Sequence, residues 1–287
     1  MRVRIHAYSL ILVMAFTSIA ISSCKNKPKF KLRSKKYLHI SHTKSDSIEF
    51  INASATTIDY SKYDLLMLGG DMGYSSSENA TSLNRLNTVF DLDNPNTLWA
   101  LGNHDYANLP LLTDYTQRPT YYAYAKNGIT FVVLDSQDSL CYITGDQFVF
   151  LNEVLDTVKN SSHLVLLHHK LIWMPDNETL SPRIPSVSNG PLGDCHYCLN
   201  PNNFYADIYP RLVDIQSKGT KVLCIGGDLG FNSTTFSYQT PDGIEFLGSG
   251  ISTKNEENHA ILFHHDVKNQ VMTWEFKPIR KLKQVKD

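Results

Sequence analysis

Four short stretches end an apolar run in side chains that can bind a cation or move a proton. They are Gly69-Gly70-Asp71, Gly102-Asn103-His104-Asp105, His168-His169 and Gly226-Gly227-Asp228. Gly102 lets the backbone turn tightly against a bound group. Asn103 offers a neutral carbonyl oxygen. His104 can donate a proton near neutral pH, and Asp105 can hold that imidazole in one tautomer. The same tetrapeptide also suits a plain strand-to-helix turn in which Asn and Asp bond their own backbone, so its surroundings decide between the two. Carboxylate, amide oxygen and imidazole together form a donor set for Mn²⁺, Fe or Zn²⁺.

The elements that must position these residues are legible as hydrophobic runs. Residues 37–40, 64–68, 97–101, 164–167 and 221–225 read as strands, several of them apolar throughout and hence buried on both faces. Residues 48–57, 82–90, 145–158 and 205–218 read as helices, the third with Thr144 as N-cap. Turn signals pair 121–124 with 129–134, 235–238 with 244–247, and 260–264 with 270–276. A long polar loop spans 174–203, a length usually tied to function or disorder. Strands alternate with helices first and hairpins follow, which predicts one α/β domain with mixed sheets over 37–278. In open α/β sheets the carboxyl ends of strands build the site, and all four stretches lie at such ends. The segments 66–74 and 223–231 resemble each other, each a strand delivering an aspartate at a glycine-rich end.

With these motifs in order, the chain resembles the calcineurin-like metallophosphoesterases. Gly70-Asp71, the Gly102-Asn103-His104-Asp105 loop and the His168-His169 pair match the middle of that series, while Leu134-Asp135-Ser136 and Gly145-x-Gln147 resemble its connecting elements. The resemblance implies a sandwich of two mixed β-sheets flanked by helices. It also implies that Asp71 bridges two divalent metals, that Asn103 and His168 bind the second, and that His104 protonates the leaving oxygen with Asp105 orienting it. His169 is the alternative ligand, because Lys170 stands where the family has a proline. The end motifs depart. His42-Thr43-Lys44 replaces Asp-x-His, and Gly226-Gly227-Asp228-Leu229 replaces Gly-His-x-His. His42 and Asp228 become substitute ligands, and Lys44 becomes a charge that neutralises Asp71 or a phosphate. The expectation is one tightly held transition-metal ion, with a second weak or absent.

The chain ends carry other signals. Arg2 and Arg4 precede an apolar run over 7–21, too short to span a bilayer comfortably. It stops at Ile21-Ser22-Ser23-Cys24, similar to the cleavage site of bacterial lipoprotein signal peptides. This implies a signal peptide over 1–23, lipid on Cys24, a basic tether over 24–36 and residence in the cell envelope. Residues 279–287 read as a basic tail. In an exported protein, Cys195 and Cys198 are expected to form a local disulfide, and Cys224 to be a buried small hydrophobe. The 287 residues are 42% hydrophobic with net charge -1, so no overall field favours nucleic acid. Three functions fit these features: a phosphoesterase acting on a phosphate ester, a catalytically inactive lipid-anchored binding module that keeps the fold, and a structural partner in an envelope assembly using the long loop.

Overall fold

A computed structural model describes residues 34–45 and 50–282. The expected signal peptide, Cys24 and nearly all of the tether lie outside the described residues. Among the described residues no helix is long and apolar enough to cross a membrane.

The chain opens with strand β1 (Lys35–Ile40), the short helix α1 (Ala53–Thr56), β2 (Leu65–Leu68), helix α2 (Ala80–Phe90) and β3 (Thr97–Trp99). Helix α3 (Leu109–Thr116) leads to the hairpin β4 (Tyr122–Lys126) and β5 (Ile129–Val133). Then come α4 (Gly145–Thr157), β6 (His163–His168), α5 (Ile184–Val187), α6 (Tyr209–Ser217) and β7 (Lys221–Gly226). Two antiparallel pairs follow: β8 (Thr235–Gln239) with β9 (Glu245–Ser249), and β10 (His259–Asp266) with β11 (Val271–Pro278).

These strands form two sheets, in the order β11-β10-β1-β2-β3 and β4-β5-β6-β7-β9-β8. Strands β1, β2 and β3 run parallel, as do β5, β6, β7 and β9, while antiparallel β11, β4 and β8 stand at edges and parallel β3 at the remaining one. Both sheets are therefore mixed, as the resemblance implied. Between them lies an apolar layer that includes Tyr37, Met67, Leu98, Phe131, Val165, Leu167, Ile225 and Phe263. Fully burying such a side chain contributes on the order of 1.5–3 kcal/mol. A second layer packs the outer face of the first sheet against α2 and α3 through Leu83, Leu86, Phe90 and Leu112. A third packs the other sheet against α4 and α6 through Leu151, Leu155, Leu212 and Ile215.

Several boundaries differ from expectation, each for a local reason. Of the helix expected over 48–57, the described part from 50 onward is helical over Ala53–Thr56, because Ile51 bridges to Lys44 and the Asn52 side chain caps the turn at Ser54 N. Strand β1 begins at Lys35, inside the stretch assigned to the tether, because Lys35 and Lys36 pair with His265 and His264. At the other end, Ile279 and Leu282 are buried, so the first residues of the expected tail belong to the core. Helix α3 was not foreseen from the sequence; its signals are the Asn108 cap and Pro110 in the first turn.

Candidate functional site

The parallel strands of both sheets deliver their carboxyl-terminal turns to one place. His42 and Lys44 follow β1, Asp71 follows β2, and Asn103, His104 and Asp105 follow β3. From the second sheet, β6 supplies His168, His169 and Lys170, and β7 supplies Asp228. The two Gly-Gly-Asp turns meet directly. A side chain on Gly227 would collide with the backbone of Gly69, so only glycine permits the approach. Asp71 itself takes a left-handed backbone with φ of 55°, and His42 one of 51°. Such strain costs about 1–3 kcal/mol per residue and concentrates at functional sites.

Asp71 and Asp228 are buried and face the same imidazole. His169 Nε2 stands 3.7 Å from Asp71 Oδ1 and 3.7 Å from Asp228 Oδ1. His169 Nδ1 donates to the Gly69 carbonyl at 2.8 Å, which turns Nε2 toward the two carboxylates. On the other side of Asp71, His42 Nε2 lies 3.9 Å from Oδ2, while His42 Nδ1 bonds the Ile251 carbonyl at 2.8 Å. Burial works against the Asp71 charge. The imidazoles of His169, His42 and His104, with the His104 backbone N–H, outweigh it and hold this carboxyl below the usual carboxylate range. Burial also opposes the Asp228 charge, and Lys170 and His169 lower that carboxyl in spite of it.

Three sequence expectations change here. His168 does not stand at the carboxylates. Its Nδ1 bonds the Lys170 carbonyl at 2.6 Å, and its ring lies by Gly226. The reason is strand alternation. Val165 and Leu167 face the other sheet while Leu164 and Leu166 face the helices, and His168 falls in the second set. His169, the alternative ligand, takes the site position. Asp105 does not orient His104. Its oxygens accept from the backbone N–H groups of Asp71 (2.8 Å), Met72 (3.2 Å) and Gly102 (2.9 Å) and from the Ser76 hydroxyl. It ties the turns after β2 and β3 together, and burial with the Asp71 charge pushes its carboxyl up to about 6. His104 is held instead by the Tyr74 carbonyl, 2.7 Å from Nδ1, which leaves its Nε2 available. Asn103 also differs. Its Oδ1 accepts from the Lys170 ammonium at 3.3 Å.

Lys170 has no counterpart in the expected ligand set. Its side chain is buried, and Nζ donates to Asp228 Oδ2 (3.0 Å), the Tyr197 carbonyl (3.0 Å) and Asn103. Lys44 lies on the far flank, its Nζ 5.9 Å from the Tyr74 ring centre and 5.5 Å from that of Phe231. A cleft of about 290 Å³ opens at His104, lined by Tyr74, Asn103, Tyr106 and His196. His196 belongs to the Cys195–Cys198 disulfide turn, while Cys224 is a buried free thiol. The sequence carried no signal for Tyr74 and Tyr106, because their role comes from the loops that bring them over His104.

Whether the site suits a metal turns on its donors. His169 Nε2 is buried with no hydrogen-bond partner, and 3.7 Å is too long for hydrogen bonds to the two carboxylates. One imidazole nitrogen and two carboxylate oxygens are the right donor types for a divalent transition metal. Among the described residues no three His, Cys, Asp or Glu side chains already close on a common metal centre, so an ion would have to draw them together. In kind these donors fit one ion. Among the described residues, a second ion would meet His42 and Asp71, with the Lys44 charge bearing on His42.

No protein-family model matches the chain, and no curated protein sequence does. Solved structures do. A dimetal phosphatase from Danio rerio superposes with a TM-score of 0.57 at 11% identity, over 85% of this chain and 96% of that one. A phosphopantetheinyl hydrolase from Mycobacterium tuberculosis gives a TM-score of 0.47 at 13% identity, over 77% and 91%. A 5'-nucleotidase precursor from Thermus thermophilus gives 0.41 at 11%, over 85% of this chain and 54% of its own. At such identities a likeness is one of architecture, and the chain has the two-sheet α/β fold seen in the zebrafish dimetal phosphatase.

Proposed function

We propose that this protein is a phosphoesterase that works with one divalent metal ion. The observation that carries the reading is the orphaned Nε2 of His169, aimed at Asp71 and Asp228, beside a cleft that exposes a proton donor, His104. Asp71, His169 and Asp228 would hold the ion, with His42 at its edge. When bound, such an ion polarises a phosphoryl oxygen and acidifies water.

The chain's own groups supply the rest. The Tyr74 carbonyl holds the His104 ring through Nδ1–H, so that Nε2 faces an ester in the cleft and, when it carries a proton as imidazolium, can give it to the leaving oxygen. The rings of Tyr74 and Tyr106 give that cleft apolar walls suited to the ester's organic group. Lys170 balances one of the two buried carboxylates, so a divalent ion leaves the site net positive and receptive to phosphate.

The test is hydrolysis of a panel of phosphomonoesters and diesters by protein dialysed free of metal and then given Mn²⁺, Zn²⁺ or Fe²⁺. Metal-dependent turnover is expected. A protein that takes up no ion and cleaves no ester would instead be a binding module on the same fold. For the setting, the stretch ending at Cys24 supports export and lipid anchoring in the envelope. Cys24→Ser should then release the protein from membranes, and an unchanged membrane fraction would refute the anchor.

A further inference from the structure

We propose that Lys170 is a built-in second cation, holding with its ammonium a seat that a metal ion would otherwise take. Three oxygens of different kinds surround Nζ: a carboxylate oxygen of Asp228 at 3.0 Å, the amide oxygen of Asn103 at 3.3 Å and the backbone carbonyl of Tyr197 at 3.0 Å. An ammonium has three N–H donors, and here each has one acceptor. The side chain is only 1% exposed, so this pairing is what lets a charge remain there. Carboxylate, amide and carbonyl oxygens are also the ligands that Mn²⁺ and other hard divalent ions take.

Asp228 links this seat to the ion proposed above. Its Oδ2 faces Lys170, while its Oδ1 faces His169. One carboxylate thus spans two cation positions, one filled by the protein itself. The arrangement accounts for a site with donors for a single ion in a fold that a dimetal phosphatase shares. The lysine is part of the chain and cannot be stripped by a chelator.

The inference rests on the phosphoesterase reading only for the first ion, and metal counting separates the two. Wild type, Lys170→Arg and Lys170→Ala are dialysed against Mn²⁺ alone, and bound metal per chain is measured by mass spectrometry and titration calorimetry. Wild type and Lys170→Arg should bind one Mn²⁺. Lys170→Ala, with three oxygens left around an opening, should bind one more. A Lys170→Ala count equal to wild type overturns the proposal, whatever that count is. If wild type binds none and the alanine variant one, Lys170 stands as the resident cation and the one-ion phosphoesterase reading falls. Should Lys170→Ala fail to fold, it and Lys170→Ser are refolded with and without Mn²⁺. Recovery that requires the ion supports the seat, and failure of both variants in Mn²⁺ counts against it.

Discussion

His104 and Asp105 are neighbours in sequence but work on different structures. His104 meets the cleft, and Asp105 turns back to accept three backbone N–H groups and the Ser76 hydroxyl. His104→Ala should therefore lower turnover by ~10²–10⁴-fold, the usual worth of a general acid, with Mn²⁺ uptake by calorimetry unchanged. Loss of ion binding in that variant would make His104 a structural residue. The residue types at the site were legible because Gly-Asp and Gly-Asn-His-Asp end apolar runs. The partners were not. Which of His168 and His169 enters the site depends on which face of β6 meets the other sheet, and both faces of β6 are buried and apolar. Lys170 was legible only as a missing proline, because its partners lie 58 and 67 residues away in sequence.

At the scale of elements, the site exists because two glycine turns touch. Gly227→Ala would drive a Cβ into the Gly69 backbone, and overpacking of this kind costs about 3 kcal/mol. The urea midpoint should fall accordingly. Gly145→Ala is the contrast. Its Cβ meets nothing within 4 Å, and only the left-handed φ of 56° is penalised, by about 1–2 kcal/mol. Equal losses in the two variants would contradict the crossing of the turns. The likeness of 66–74 to 223–231 in the sequence now has a physical reading. Both segments end interior strands, β2 in one sheet and β7 in the other, at the same contact. Strands and hairpins were readable from period and turn residues, whereas the helix expected over 48–57 appears among the described residues only as Ala53–Thr56. The capping oxygen of Asn52 and the bridge from Ile51 override its apolar spacing.

At the scale of the molecule, buried uncharged histidines couple stability to pH. Burial lowers His39 to about 3 and His168 to about 4, and each keeps an unpartnered Nε2. Both values are depressed below the unfolded value of about 6.5. The unfolded chain therefore binds more protons as pH falls from about 6.5 toward 4, and stability falls with it. Each histidine contributes a slope of about 1.4 kcal/mol per pH unit across that window. The Asp105 carboxyl, raised to about 6, acts in the opposite sense, its contribution being lost as pH rises through that value. The two histidines outnumber it, so the melting temperature should drop between pH 6.5 and 4, and the drop should shrink in His168→Gln. A melting temperature flat over that range would contradict the burial of these rings as uncharged groups.

Anomalous diffraction from crystals grown in Mn²⁺ decides whether Asp71, His169 and Asp228 hold a single ion. One peak is expected, between His169 Nε2 and the two carboxylates, with Lys170 still paired to Asp228 and Asn103. Two peaks flanking Asp71 beside an intact Lys170, or no peak at saturating Mn²⁺, would contradict it.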